Sequence, residues 1–557
     1  MKKKLLAVIL ATTMVASLVA CGSNSGSGGS SSSDSSSSGG GASSSDSSSA
    51  GSSASDSSGE TASADIDTSE HVKIVYMTTG DAPTQTKERY EEMMAQLNAL
   101  LTEKVNAELE IYFIPWTDYL SNYNLTLARM DGTVDLVGTA SDWLDAWPNA
   151  KSGAFLELSE EMLQTYAPKT WASVPAENWD LCKYNGEIYL MPEDNYAQWT
   201  NHGFIYRLDW AKEAGLANGV HSWEDLTTYF RYVKEAYPDI IPWDSDATQY
   251  GQMSGGWISS HSDYVSIDGL SANALWGGTK NDLYTVYCPY MTDTDSLVEY
   301  AKMMKEWDEI GVWRTDVLNN TSSTNRDDFR VGKVAAEQHH TQTWTDLVSH
   351  TPSNTIYDTD EDAEVGFFYF GEEAKNVVAL SITHGAMAVS AGSANPERAL
   401  MVYDLLRNDP EIYKLFNYGI KGISWDTNEE GLRILPENYN SDTDDIINTV
   451  NYWWGRNDDL EVKDASKNWD AIDTLYDEYD KIKIEYPYGQ FVPDVTSIDA
   501  YISNINEIFE NYMKQISYGK YNGSAEDIVA EFQKALEAGG INEVTAELQR
   551  QFDELYK

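Results

Sequence analysis

The chain has 557 residues, and its 89 acidic side chains against 38 basic ones give a formal net charge of -51. A surface this negative repels phosphate backbones and anionic headgroups, which excludes nucleic acid as a partner and disfavours anionic ligands. The length exceeds what one hydrophobic core organises and requires at least two domains.

The first 21 residues are an address rather than fold. Lys2, Lys3 and Lys4 precede the apolar run Leu5–Ala20, which is shorter than the ~20 residues a bilayer span needs and ends in small residues, as a secretory signal does. Leu18-Val19-Ala20-Cys21 resembles a bacterial lipobox. That resemblance implies cleavage before Cys21, a lipid on its sulfur, and attachment to the outer face of the cell membrane. Residues 22–69 follow as a tether: Gly22–Ala64 is almost wholly Ser, Gly, Ala and Asp and cannot bury enough apolar surface to offset ordering. About forty residues of such coil reach roughly 35 Å. The other two cysteines, Cys182 and Cys288, could bridge in an exported chain or stay as free thiols; their spacing leaves both open.

His71–Met77 alternates apolar and polar residues and reads as a strand, and Thr84–Val105 carries Tyr90, Met93, Met94, Leu97, Leu101 and Val105 at helical spacing. A strand at Leu109–Ile114, a helix to about Met130 and a strand at Val134–Val137 continue the alternation. Strand and helix repeating in this way predict a parallel sheet with right-handed crossovers. Ligands sit at the carboxyl ends of such strands. The strand-end loops, with Asp81, Trp116, Asp118, Asp142 and Trp143, are therefore expected to converge on a site.

A strand at Glu187–Met191 stops at Pro192. Glu193, Asp194, Tyr196, Gln198, Trp199, Asn201 and His202 then lead into a strand at Phe204–Arg207. This pattern marks the chain leaving one packed body for another, with a polar, aromatic seam where pockets form. Ser222-Trp223-Glu224-Asp225 predicts a capped helix start. Pro242–Trp276, with Gly255-Gly256-Trp257, reads as loop-rich. Ser296–Ile310 reads as an amphipathic helix and Phe329–Glu337 as a short helix running into a strand. Val377–Val389 is an apolar run able to cross back, Ser393–Arg407 a capped helix, and Ser524–Tyr556 two helices parted by Gly539-Gly540.

NGEIYLMP (Asn185–Pro192), FRVGKVAAE (Phe329–Glu337), NPERALMVYDLL (Asn395–Leu406) and YGIKGISWD (Tyr418–Asp426), in this order, resemble the extracellular solute-binding proteins of ABC importers. The likeness is to the carbohydrate-type group that includes maltose-binding protein. The C-terminal run from YGQFVPDVTSIDAY is similar to a tail domain of unknown function found in Gram-positive lipoproteins of that group. The resemblance implies a two-lobe, periplasmic-binding-protein-like α/β fold, each lobe a mainly parallel sheet flanked by helices, with a helical C-terminal part. It implies a first lobe from residues 70–192 and 381–445 and a second from 193–380 and 446–557. It also implies a monomer that closes on a solute and delivers it to the membrane subunits of an ABC permease, without cofactor or metal.

The composition fits a sugar, most simply an oligosaccharide. Pyranose rings present apolar C–H faces to aromatic rings and hydroxyls to carboxylates and amides, and the chain has 18 Trp and 35 Tyr. To the strand-end residues the seam adds Glu193, Asp194 and Trp199, and the second lobe adds Trp257 and Trp344. A glycan-degrading enzyme is the alternative, and so is a binder of a non-sugar solute such as a peptide. Catalysis would need two carboxylates roughly 5–5.5 or 6.5–9.5 Å apart across one bond, and with 89 acids a proposed pair has little force. No G-x-S-x-G elbow, H-E-x-x-H or Walker-type loop occurs. His339, His340 and His384 stand as structural histidines, and Asp358–Glu364 lacks the spacing of a calcium loop.

Overall fold

A computed structural model describes residues 66–557 except 142, 194–200, 269, 271, 321–323, 351–354 and 448–453. The signal segment, Cys21, most of the tether, Asp142, Asp194 and Trp199 lie outside the described residues.

The alternating run after His71 forms β1 (Val72–Thr79), and α1 (Lys87–Val105) buries Met93, Met94, Leu97, Leu101 and Val105 against the sheet. Asn106 stops the helix in a left-handed conformation (φ 48°), its N–H donating to Thr102 O. β2 (Ala107–Ile114), α2 (Tyr119–Arg129) and β3 (Leu136–Thr139) follow. β1 lies between β2 and β3 and is parallel to both, in register from Val72↔Ala107 to Thr79↔Ile114. The carboxyl ends of three strands thus share one edge, as the alternating pattern predicted. Strand Ala386–Val389, arriving from far down the chain, joins β3 antiparallel and completes the sheet.

The second lobe starts with β4 (His202–Arg207). α3 (Trp223–Ala236) is capped by Ser222, whose Oγ accepts from the Asp225 N–H at 3.0 Å, a contact worth about 1 kcal/mol. The stretch expected to be loop-rich instead contains α4 (Tyr250–His261). Gly255 and Gly256 lie inside it, and a Cβ on Gly256 would sit 2.3 Å from the Phe370 ring. Close packing, not a turn, explains that glycine. β5 (Tyr264–Ser266), β6 (Gly277–Thr279) and β7 (Asp282–Tyr287) make an antiparallel meander. β8 (Ala336–His340) and β9 (Val365–Tyr369) flank β4, both antiparallel to it. The mainly parallel arrangement therefore belongs to the first lobe.

Val377–Val389 splits into β10 (Val377–Ala379), in the second lobe, and β11 (Ala386–Val389), in the first. The helix Pro396–Asn408 begins with Pro396 at its first position and gains no side-chain cap from Asn395; proline's missing N–H makes a cap less needed. β12 (Lys483–Glu485) pairs with β10 in parallel. The tail then forms α5 (Asp499–Ser517), α6 (Ala525–Gly539) and α7 (Ile541–Tyr556), with Gly540 (φ 99°) at the last turn.

Two large cores result. One gathers β1–β3 and β11; the other gathers α3, α4 and the tail helices, so that Phe509, Phe532, Leu548 and Phe552 share a core with Trp223 and Trp307. A smaller core covers the other face of the β4 sheet. Cys182 and Cys288 are both buried and free, one in each large core. Of the acidic run at 358–364, Asp360 accepts from Arg207 at 2.6 Å and Asp358 from the Thr355 N–H at 2.8 Å. Among the described residues no group of three or more side chains is placed to hold a metal ion.

Candidate functional site

At the carboxyl edge of the first lobe's sheet the aromatic residues stack. Trp143 lies between Trp116 (6.0 Å between ring centroids, 22° between planes) and Trp454 (6.2 Å, 27°), and Tyr119 meets its edge at 5.8 Å. Trp454 is the buried end, its indole N–H donating to Thr139 O at 2.8 Å. Trp116 is the open end, with 50% of its surface exposed. A Cβ at residue 138 would come within 2.7 Å of the Trp454 ring, so Gly138 is what lets the indole lie flat on β3. Asp118, in a left-handed conformation (φ 53°), starts α2 without capping it and is exposed, as is Asp81 beside Gly80.

The second lobe contributes a cavity of about 650 Å³ at the seam, lined by Thr248, Tyr250, Gln252 and Ser259 around α4. Ser266 at the end of β5 and Asp268, Asn273 and Leu275 of the loop joining it to β6 form another wall, and Val378–Leu380 with Tyr486 form the hinge side. A narrow space of about 40 Å³ connects the lobes. It is lined by Ser141, Asp145 and Trp147 from the first, Asp268 from the second, and His384 and Tyr486 between them. Asp268 lines both spaces, and Ser141, on the narrow one, is two residues from Trp143 in the chain. Asp145 and Asp268 are carboxylates, and no lysine or arginine lines either space among the described residues.

The seam itself is built from crossing segments. Met191 and Met387 exchange backbone hydrogen bonds (2.7 and 2.9 Å), and the Glu193 N–H donates to Ile382 O. The Glu193 side chain is buried in the hinge rather than open to the cavity, and burial pushes its carboxyl up to about 8 despite His384, Arg456 and Arg407 nearby. His202 faces His340 across the β4–β8 pair, with His339 5.8 Å away between ring centroids. Burial lowers His202 and His340 to about 4 and His339 to about 3, so the trio is uncharged near neutrality. His339 and His340 also bond Thr343 at the start of the next helix, a structural use.

Besides Glu193, two expected ligand residues are placed away from the cavity. Trp257 is 3% exposed, packs on Trp223 and His261, and donates to Ser296; α4 turns it into the core and presents Gly255 and Gly256 to the cavity instead. Trp344 is 5% exposed and stacked on Phe367 in the smaller core. Conversely, Tyr119 and Trp454 belong to the stack without having been singled out. Tyr119 directly follows Asp118 and was within reach of the strand-end argument. Trp454 lies 315 residues from its partner Thr139, and no local pattern signals it.

Residues 487–557 match the family model described as Domain of unknown function (DUF3502). The chain is 23% identical over 491 residues to a carbohydrate ABC transporter substrate-binding protein of Streptococcus pneumoniae serotype 4, covering 86% of this chain and 90% of that one. Its fold is similar to the crystal structure of the N-glycan transport solute binding protein of S. pneumoniae (TM-score 0.66, 19% identity, 87% of this chain and 99% of that one). It is also similar to a human-milk-oligosaccharide (HMO) binding, ABC-transporter-associated solute binding protein of Bifidobacterium longum infantis (TM-score 0.60, 15% identity, 87% and 99%). The fold is therefore that of the two-lobe solute-binding proteins. The resemblance expected from the motifs extends along the chain from the first strand to the tail domain.

Proposed function

We propose that this protein captures an uncharged oligosaccharide in the cleft between its lobes and delivers it, chemically unaltered, to an ABC importer. The observation that carries the reading is the Trp116–Trp143–Trp454 stack, open at one end at the strand-end edge of the first lobe, together with a second-lobe cavity lined by hydroxyls, amides and a carboxylate and, among the described residues, by no lysine or arginine. Trp116 and Trp143 would offer the platform for a pyranose face, Asp118 and Asp81, exposed in the same set of strand-end loops, would add carboxylates, and Asp268, Asn273 and Gln252 would supply hydroxyl partners from the opposite lobe. A cleft whose described lining residues bear carboxylates and no lysine or arginine disfavours acidic sugars and peptide carboxylates. Asp142, Asp194 and Trp199 belong to this proposed site on their sequence position.

Solute binding would shift an open–closed equilibrium about the crossing segments near Pro192–His202 and Val377–Val389. Lipidation of Cys21 and the 22–69 tether would hold the protein at the outer membrane face, within reach of the permease. No helix among the described residues is long and apolar enough to cross a membrane.

The N-glycan transport protein of S. pneumoniae has been crystallised in complex with Man1GlcNAc and with Man5GlcNAc, and these choose the test. The exported chain is heated with Man1GlcNAc, Man5GlcNAc, neutral and sialylated milk oligosaccharides and short peptides, and the ligand is recovered. A glycan at 100 times its dissociation constant adds about 2.7 kcal/mol to folded-state stability. Stabilisation by neutral glycans recovered intact supports the proposal. Cleaved glycan, or stabilisation by peptides alone, overturns it. Mass spectrometry of Cys21 and release of a Cys21→Ala variant from cells test the anchor.

A further inference from the structure

The tail is not an appendage to the second lobe. Its helices share that lobe's core, and its polar side chains bond to the segment that forms one wall of the 650 Å³ cavity. That wall belongs to the loop between β5 and β6. Its Ile267 N–H donates to Trp276 O (2.7 Å); two other described backbone donors of the loop, at Asp268 and Asn273, reach the C-terminal segment. The Asp268 N–H donates to the Tyr486 hydroxyl (2.8 Å), just before the tail begins. The Asn273 N–H donates to Asn506 Oδ1 on α5 (2.7 Å). Where the loop returns to the sheet, the Trp276 indole N–H donates to Thr545 Oγ1 on α7 (2.9 Å). Tyr488 then accepts from the Gly278 N–H (3.1 Å) and donates to Leu283 O (2.7 Å). Gln549 accepts from the Val286 N–H and donates to Tyr284 O.

The opposite wall is held too. Ser517, closing α5, donates to the backbone oxygen of Tyr250 (3.1 Å) at the start of α4. Both sides of the cavity, the Asp268–Asn273 side and the Tyr250 side, are thus fixed by one C-terminal unit. A loop bearing solute-binding groups has to be pre-organised, because ordering it at the moment of binding subtracts from affinity.

We propose that the C-terminal domain is the brace of the solute cavity, with Asn506 and Thr545 as positioning residues that set the backbone bearing Asp268 and Asn273. The domain of unknown function thereby acts in solute recognition through the loop without being a solute contact. This rests on the oligosaccharide reading above, and the experiment separates the two.

The full exported chain and its Asn506→Ala, Asn506→Asp and Thr545→Val variants are compared in three measurements: melting temperature, amide hydrogen exchange across 264–279, and calorimetric binding to the neutral glycans of the panel. Asn506 is half-buried, so Asn506→Ala is expected to melt within ~2 °C of the parent, in line with surface substitutions. Exchange at Asn273 should rise at least about tenfold and the dissociation constant by about the same factor, 1.4 kcal/mol. Asn506→Asp keeps the acceptor and should restore most of both. If Asn506→Ala lowers the melting temperature severely, Thr545→Val carries the same comparison at Trp276. Faster exchange with unchanged affinity overturns the brace while leaving oligosaccharide binding intact. A parent chain that binds no neutral glycan removes the underlying reading and the brace with it.

Discussion

Both lobes bury tryptophans, Trp147 and Trp179 in the first among them, but the first also sends indoles to its surface. In the second lobe Trp223, Trp243, Trp257, Trp276 and Trp307 are all buried in one core, with Trp223, Trp243, Trp257 and Trp307 ranged around Phe204 or one another. Their work is packing. In the first lobe Trp143 and Trp116 stand at strand ends, where the chain leaves the sheet, and the stack they begin opens to solvent at Trp116. Position in the topology, not residue type or neighbouring acids, separates a core indole from a surface platform. In the second lobe the polar side chains and two helical glycines reach the cavity, and the rings behind them give it a rigid floor.

This contrast breaks most visibly at Trp257. Trp257→Ala should cost about 3–5 kcal/mol in urea unfolding while the folded fraction keeps its affinity for neutral glycan. Lost binding at unchanged stability would make Trp257 a ligand residue and erase the contrast. Gly138→Ala, which forces a methyl into the Trp454 ring, should cost about 1–3 kcal/mol and weaken binding by displacing the stack. Unaltered binding and tryptophan fluorescence would show that the stack does not depend on that contact. Trp116→Ala should leave unfolding within ~0.5 kcal/mol but raise the glycan dissociation constant about tenfold, by 1.4 kcal/mol; calorimetry reads both this and its absence.

A pH-dependent effect belongs to the hinge between the lobes. Glu193 has a folded-state pKa raised from 4.5 to about 8, so the native state retains a proton that the unfolded chain releases between those values. Its stabilising contribution is complete below pH 4.5 and is lost as the pH rises through 8. Glu193→Gln removes the titration. The stability of the parent relative to the variant should therefore fall steadily from pH 4.5 to 8, and parallel curves would place Glu193 in a wetter setting.

The first lobe was legible because its pattern is local. Alternation in 71–77 and helical spacing in 84–105 each declare themselves within a few turns, and parallel pairing then brings Trp116 and Trp143 to one edge without further information. Trp454 was not legible, because its place on Gly138 depends on a return from the far end of the chain. The α4 helix was missed for a related reason. Two adjacent glycines cost about 1 kcal/mol each relative to alanine in a helix, so the local reading is a loop; the approach of Phe370 explains Gly256, whereas a Cβ on Gly255 would meet Leu275 only at ordinary contact distance. Strand direction in the second lobe was hidden in the same way, since β4, β8 and β9 are separated by long stretches and pair antiparallel. The site was half visible: its strand-end loops could be read, whereas its cavity wall depends on contacts such as Asn273 with Asn506, 233 residues apart.

The two unbridged cysteines make the lobes separately observable. Cys182 sits fully buried in the first core and Cys288 in the second, where burial raises both thiols above the ordinary value, Cys288 to about 12. Neither is reactive as a thiol in the native state, so an alkylating reagent reports only on the fraction of time each core is open. Mapping which cysteine is modified first, with and without sugar, turns a single chain into a pair of independent clocks, one for each half of the clamp.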